Sequence, residues 1–105
     1  QGGQFVIKLD NGERVSGHKP SVDAMMYSIA ALNDKNVIGV IMTGMGADGA
    51  DGLKQVKDKS GYVIAQDEDS CVVFGMPKST IKLGVVDKVV SLNNIANEIV
   101  KAMEV

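Results

Sequence analysis

The chain has no apolar run near the roughly 20 residues a membrane-spanning helix needs. It also has one cysteine, one histidine and no tryptophan. The first shortage argues against membrane insertion through a helix. The second leaves Cys71 without an internal disulfide partner, which suits a reducing cytosol and makes the expected location cytoplasmic. Nor is there a concentrated basic stretch: 11 Lys and Arg against 13 Asp and Glu leave a net charge of −2, and the lysines are scattered. Nucleic acid is therefore not expected as the main partner, because phosphate binding needs a concentrated basic face. No signal or targeting segment is visible.

What is present reads as a globular domain. Hydrophobic content of 45% and charged content of 23% are ordinary for a soluble protein. The 105 residues fit one small domain, residues 1–105. The opening stretch QGGQFVIKL already reads as part of a strand, so we expect a fragment of a longer chain.

Residues 5–9 and 14–16, joined around Asp10, Asn11 and Gly12, carry the Asn-Gly signal of an N-terminal β-hairpin. Ser21 is a candidate N-cap for a helix over 22–32, with Val22, Met25, Met26, Ile29 and Leu32 forming one apolar stripe. The near-continuous apolar run 37–42 predicts a strand covered on both faces. A helix over 50–59 should follow, with Leu53 and Val56 facing the sheet and Gly61 in a left-handed C-terminal position. Residues 62–65 read as a strand. Pro77 fits the first turn of a short helix closing at Gly84. A β segment over 85–90 and an amphipathic helix through Ile95, Ala96, Ile99, Val100 and Met103, capped by Asn93 or Ser91, complete the chain. The alternation predicts an α/β fold: a parallel sheet with flanking helices.

In such sheets, chemistry collects at the carboxyl ends of strands, which points to the stretch TGMGADGADGL after the 37–42 strand. Three readings compete. Gly44, Gly46 and Gly49 spell GxGxxG between strand and helix, with Asp67 about 20 positions on, as dinucleotide binding requires. Against this, Asp48 and Asp51 would repel a pyrophosphate at the helix N-terminus. A purely structural reading has the glycines permitting a tight turn while Asp48 or Asp51 complements the dipole of the following helix. A catalytic reading has the carboxylate orienting a histidine in an acyl-transfer triad.

TGMGADGADGL, preceded by KPSVDAMMYSIA and followed by IAQDEDSCVVFGMPKSTIKLG, closely resembles the C-terminal half of the catalytic domain of chemotaxis protein-glutamate methylesterases, the CheB family. The likeness covers nearly the whole chain and is weakest over 1–17 and in the last helix. It displaces the dinucleotide reading. It implies part of a doubly wound, Rossmann-like domain that hydrolyses γ-glutamyl methyl esters on chemotaxis receptors with a Ser-His-Asp triad. It also permits glutamine deamidation, and it implies neither cofactor nor metal. The triad aspartate falls on Asp48. Thr43, Gly44, Met45 and Gly46 would line the active site, with a backbone N–H near Met45 contributing to an oxyanion hole. Phe74 to Pro77 would shape the cleft.

The family's serine and histidine lie well upstream, in segments this chain does not contain. His18 is too near Asp48 to match that histidine and is expected to be a surface or loop residue. Ser16, Ser21, Ser28, Ser60, Ser70, Ser79 and Ser91 lack the glycine-flanked strand end that exposes a nucleophile. Asp67, Glu68 and Asp69 are expected to be a solvated loop rather than a metal site. Cys71 has no basic neighbour in sequence to lower its pKa, so it is expected to be a small buried hydrophobe. The chain alone is expected to be inactive and to have some tendency to dimerise over uncovered apolar faces. The alternatives are a non-catalytic module docking a receptor or adaptor and, behind it, a dinucleotide-binding domain.

Overall fold

A computed structural model describes residues 22–32 and 36–103. The predicted hairpin, the Ser21 cap and His18 lie outside the described residues. Helix α1 spans Val22–Ala31, strand β1 Ile38–Ile41, helix α2 Ala50–Asp58 and strand β2 Tyr62–Gln66. Helix α3 spans Gly75–Lys82 and strand β3 Lys88–Val90, and a 3₁₀ turn over Leu92–Asn94 leads into helix α4, Ile95–Met103.

The three strands form a parallel sheet in the order β1-β2-β3, with Ile38 opposite Tyr62 and Ile64 opposite Lys88. β2 is central, and Val63, Ile64 and Ala65 are fully buried, the pattern of a parallel strand covered on both faces, whereas β1, of which that pattern was expected, alternates half-buried and buried residues. Val63 and Ala65 join Met26, Ala30, Ile41, Leu53 and Val56 in the main core. Strand alternation turns Ile64 to the opposite face, where α4 packs on β2.

Helix α1 is rotated from the predicted stripe. Its buried residues are Asp23, Met26 and Ala30, whereas Met25 is 52% and Leu32 48% exposed. The cause lies in α2: Gly52 faces α1 so closely that a Cβ there would overlap Met26, and Asp23 points into the same contact. A glycine in mid-helix brings the two helices together and sets the rotation of both.

Other boundaries differ for local reasons. The left-handed residue after α2 is Ser60, at φ 68°, and not Gly61. Gly61 is required by space instead, since a Cβ would meet the Val56 side chain and the carbonyl oxygens of Val56 and Val37. β3 is shorter than the predicted 85–90 segment, although the Asp87 N–H already donates to the Val63 carbonyl at 2.8 Å. The Asp87 carboxylate accepts the Val63 N–H at 2.8 Å and meets Lys57 at 2.6 Å, clamping the start of β3. Neither Ser91 nor Asn93 caps the last helix by its side chain. The Ser91 carbonyl accepts the Asn94 N–H at 2.9 Å, so the chain enters α4 through the 3₁₀ turn.

Candidate active site

The turn between β1 and α2 lies at the carboxyl edge of the sheet, and two separate sets of contacts hold it. The first fixes residues 43–46. The Thr43 N–H donates to Gln66 Oε1 at 2.9 Å, while Thr43 Oγ1 accepts the Val73 N–H at 2.9 Å and donates to the Val73 carbonyl at 3.1 Å. The Gly44 N–H donates to the Val73 carbonyl and the Gly44 carbonyl accepts the Met76 N–H, each at 2.9 Å, so Gly44 and Phe74 form an isolated parallel bridge. The segment Phe74 to Pro77, expected to shape the cleft, is thereby joined through Val73 and Met76 to the loop expected to line it. Met45 stands at its crest, 82% exposed. Its N–H has no acceptor among the described residues, the state an oxyanion donor needs before substrate arrives.

Gln66 is the hub of this first set and is 1% exposed. Its amide nitrogen donates to the Ser70 carbonyl at 2.7 Å and to Ser70 Oγ at 3.2 Å. Ser70 in turn donates from Oγ to Asp67 Oδ1 at 2.6 Å and from its N–H to the same oxygen at 3.0 Å. Asp67 is therefore engaged within its own turn, while Glu68 and Asp69 are exposed. Among the described residues, no group of three or more His, Cys, Asp or Glu side chains is placed to hold a metal ion.

The second set fixes Asp48. Its Oδ2 accepts the Val22 N–H at 2.8 Å and its Oδ1 the Asp23 N–H at 2.9 Å. Asp48 thus caps α1, so the structural reading, which offered Asp48 or Asp51 to the helix that follows, does not hold for Asp48. The α2 cap comes from α1: Asp23 Oδ1 accepts the N–H groups of Gly49 at 3.0 Å and Gly52 at 2.7 Å. α1 is closed by a carboxylate from the turn before α2, and α2 by a carboxylate from α1. Gly49 makes this possible, because as N-cap it has no side chain and adopts φ 101°, a left-handed conformation that side chains rarely accept.

This exchange also bears on the dinucleotide pattern. Two N–H groups that a pyrophosphate would use at the start of α2 are already taken by a buried carboxylate. Asp51, on the first turn of α2, is exposed and accepts the Tyr27 hydroxyl at 3.3 Å. Partial burial, together with the negative charges of Asp23 and Asp51, raises the Tyr27 phenol above its ordinary range. Cys71 is half-buried, and burial together with the Asp67 charge pushes its thiol up, away from the reactive thiolate.

The sequence pointed to Asp48 and residues 43–46 and put Gln66 in a polar loop on the active-site side, but Asp23 and the buried hub role of Gln66 went unnoticed. Asp23 lies inside KPSVDAMMYSIA and Gln66 inside IAQDEDS, two of the motifs that carry the family likeness. Position within a motif was the available signal.

The comparisons with known proteins bear on the same motifs. The sequence profile of the CheB methylesterase family matches residues 2–99. This chain belongs to the CheB methylesterase family. It is 48% identical over 100 residues to a protein-glutamate methylesterase/protein-glutamine glutaminase of Anaeromyxobacter dehalogenans, a match covering 95% of this chain and 28% of the relative. A homologue of the same description from Chromobacterium violaceum is 53% identical over 98 residues, covering 93% of this chain and 28% of the relative. Among solved structures, the CheB methylesterase catalytic domain of Thermotoga maritima superposes with a TM-score of 0.83 at 39% identity. That match covers 88% of this chain and 49% of the solved domain. The chain therefore spans about half of that CheB catalytic domain and little more than a quarter of the curated relatives.

Proposed function

We propose that this segment supplies the carboxylate of a Ser-His-Asp triad in a protein-glutamate methylesterase that also acts as a protein-glutamine glutaminase. Asp48 is that carboxylate. The serine and histidine come from the part of the catalytic domain that this chain does not cover. The observation that carries the reading is the setting of Asp48: a carboxylate past the carboxyl end of strand β1, with each oxygen fixed by one backbone N–H of α1. An ionised carboxylate offers about four acceptor positions, so capping α1 leaves room for a histidine N–H.

In the reaction, serine attacks the γ-glutamyl methyl ester of a chemotaxis receptor and histidine takes its proton and passes it to departing methanol. Water then releases the acyl-enzyme, and the same steps on a carboxamide release ammonia. Asp48 holds the histidine in the required tautomer and stabilises the imidazolium. The Met45 N–H stabilises the developing oxyanion, with Thr43, Gly44 and Gly46 shaping the loop that presents it. Among the described residues no helix is long and apolar enough to cross a membrane. We place the enzyme in the cytoplasm, acting on the cytoplasmic segments of receptors.

Asp48→Asn in the full-length protein tests the assignment by methanol release from methylated receptor segments. By the serine-protease precedent, the rate falls about 10⁴-fold with the fold intact. An unchanged rate excludes Asp48 from the triad. The 105-residue chain alone is inactive and self-associates through apolar side chains such as Met25 and Leu32, exposed in this segment.

A further inference from the structure

Asp23 is the most buried ionisable side chain among the described residues, at 1% exposed. A carboxylate in that position is costly unless polar groups compensate it. Here it accepts two N–H groups at the start of α2, Gly49 at 3.0 Å and Gly52 at 2.7 Å. Gly49 ends the turn that carries Asp48, and Gly52 lies in the first turn of the helix that follows it. Asp48 reaches back to the N–H of Asp23 itself at 2.9 Å and of Val22 at 2.8 Å. The contacts therefore close a ring: backbone of 23, side chain of 48, backbone of 49, side chain of 23.

An ordinary cap would not do this. A serine or asparagine at the N-cap of α2 would complete that helix without reference to α1. Gly49 forgoes a local cap, so the donors of α2 depend on a residue 26 and 29 positions earlier in the chain. What Asp23 adds beyond helix formation is the placement of the Asp48 turn against α1. Gly52 leaves it the space, since a Cβ there would lie 3.0 Å from Asp23 Oδ1.

We propose that Asp23 is a positioning residue for Asp48, holding the turn in the orientation from which Asp48 engages the triad histidine. The proposal rests on the reading of Asp48 as the triad carboxylate. Asp23 touches no substrate; it acts through the Gly49 and Gly52 N–H groups it accepts. Among the described residues, the titratable groups beside Asp23 and Asp48 at this helix contact are Tyr27 on α1 and Asp51 on α2, which pair with each other at 3.3 Å.

The test compares Asp23→Ala, Asp23→Asn and Asp48→Asn in the full-length protein, following methanol release across the range in which histidine titrates. Asp23→Ala lowers kcat by about 10²-fold, the scale of a small misplacement far from the reacting atoms, and leaves KM unchanged. A carboxylate beside the histidine stabilises the imidazolium, so losing its alignment lowers the histidine pKa. The acid limb of kcat/KM therefore moves to lower pH in Asp23→Ala, in the direction Asp48→Asn moves it. Asp23→Asn keeps the Oδ1 acceptor and recovers most of the rate and the position of the limb. A merely structural role would reduce the amount of folded enzyme and leave the limb in place. Where Asp23→Ala does not fold, Asp23→Glu shifts the carboxylate by one methylene and moves the limb in the same sense. If Asp48→Asn is inactive while Asp23→Ala or Asp23→Glu keeps the wild-type limb and rate per folded molecule, the positioning role is wrong and the triad assignment stands. If Asp23→Asn is as impaired as Asp23→Ala, the acceptor geometry is not what matters and the proposal falls. If Asp48→Asn retains full methanol release, the triad assignment itself falls and takes the positioning role with it.

Discussion

The two halves of the turn after β1 are held by different chemistry. Residues 43–46 are fixed by neutral groups: backbone bonds to residues 73–76, the Thr43 hydroxyl and the buried Gln66 amide. Two residues further on, Asp48 is fixed by carboxylates exchanged between helix N-termini. The first half presents an N–H donor, whose position matters and whose charge never changes. The second presents a negative charge, whose position and ionisation both matter. On the proposed reading one short turn offers a triad two separate services, and a variant in one half is expected to leave the signature of the other untouched.

Gln66→Leu is expected to have the larger effect and to separate the halves most clearly. It keeps the volume but strands the Thr43 N–H, with a stability loss of about 1–3 kcal/mol. By loosening the loop that presents the Met45 N–H, it lowers kcat by somewhat less than the roughly 10²-fold that losing an oxyanion donor costs. Its acid limb stays at the wild-type pH, in contrast to Asp23→Ala, because the carboxylate half is undisturbed. Denaturant melts and pH–rate profiles on the same preparation check both parts, and a shifted limb would show the halves to be coupled.

Tyr27→Phe should have the smallest effect. Tyr27 is a neighbour of the carboxylate half, and its phenol is raised by partial burial and by the charges of Asp23 and Asp51. A group whose folded value lies above its unfolded one contributes stability that is fully present below the unfolded pKa, about 10 for tyrosine. That contribution is lost as pH rises through the folded value. The variant therefore changes stability at neutral pH by less than about 0.5 kcal/mol, as surface substitutions do. It flattens the alkaline decline above pH 10, which thermal melts over that range would reveal. An unchanged decline would show that Asp23 and Asp51 do not act on the phenol.

The order of elements and the turn that carries Asp48 were legible because both rest on local patterns: apolar runs, glycines and a proline at helix and strand ends. The rotation of α1 was not. Counting apolar residues placed Met25 and Leu32 on the buried stripe, yet the helix turns Asp23 inward instead. That choice is made by N–H groups 26 and 29 residues away, which no local period records. For the same reason the structural reading paired Asp48 or Asp51 with the helix that follows, whereas Asp48 meets the one that precedes β1. Gln66 escaped notice because a polar residue closing a strand ordinarily reads as the start of a loop; its burial depends on Thr43 and Ser70, and only the fold brings Thr43 to it. Gly61 was expected for its freedom of φ, and the fold uses it for its lack of a side chain.

The account stands on Asp48 serving two partners at once, α1 and a histidine from the remainder of the catalytic domain. A crystal structure of the complete domain tests this directly. The account predicts a histidine N–H donating to an Asp48 oxygen at about 2.7–2.9 Å, with the bonds from Val22 and Asp23 retained. A histidine beyond hydrogen-bond reach, with Asp48 engaged by the α1 N-terminus alone, would contradict it.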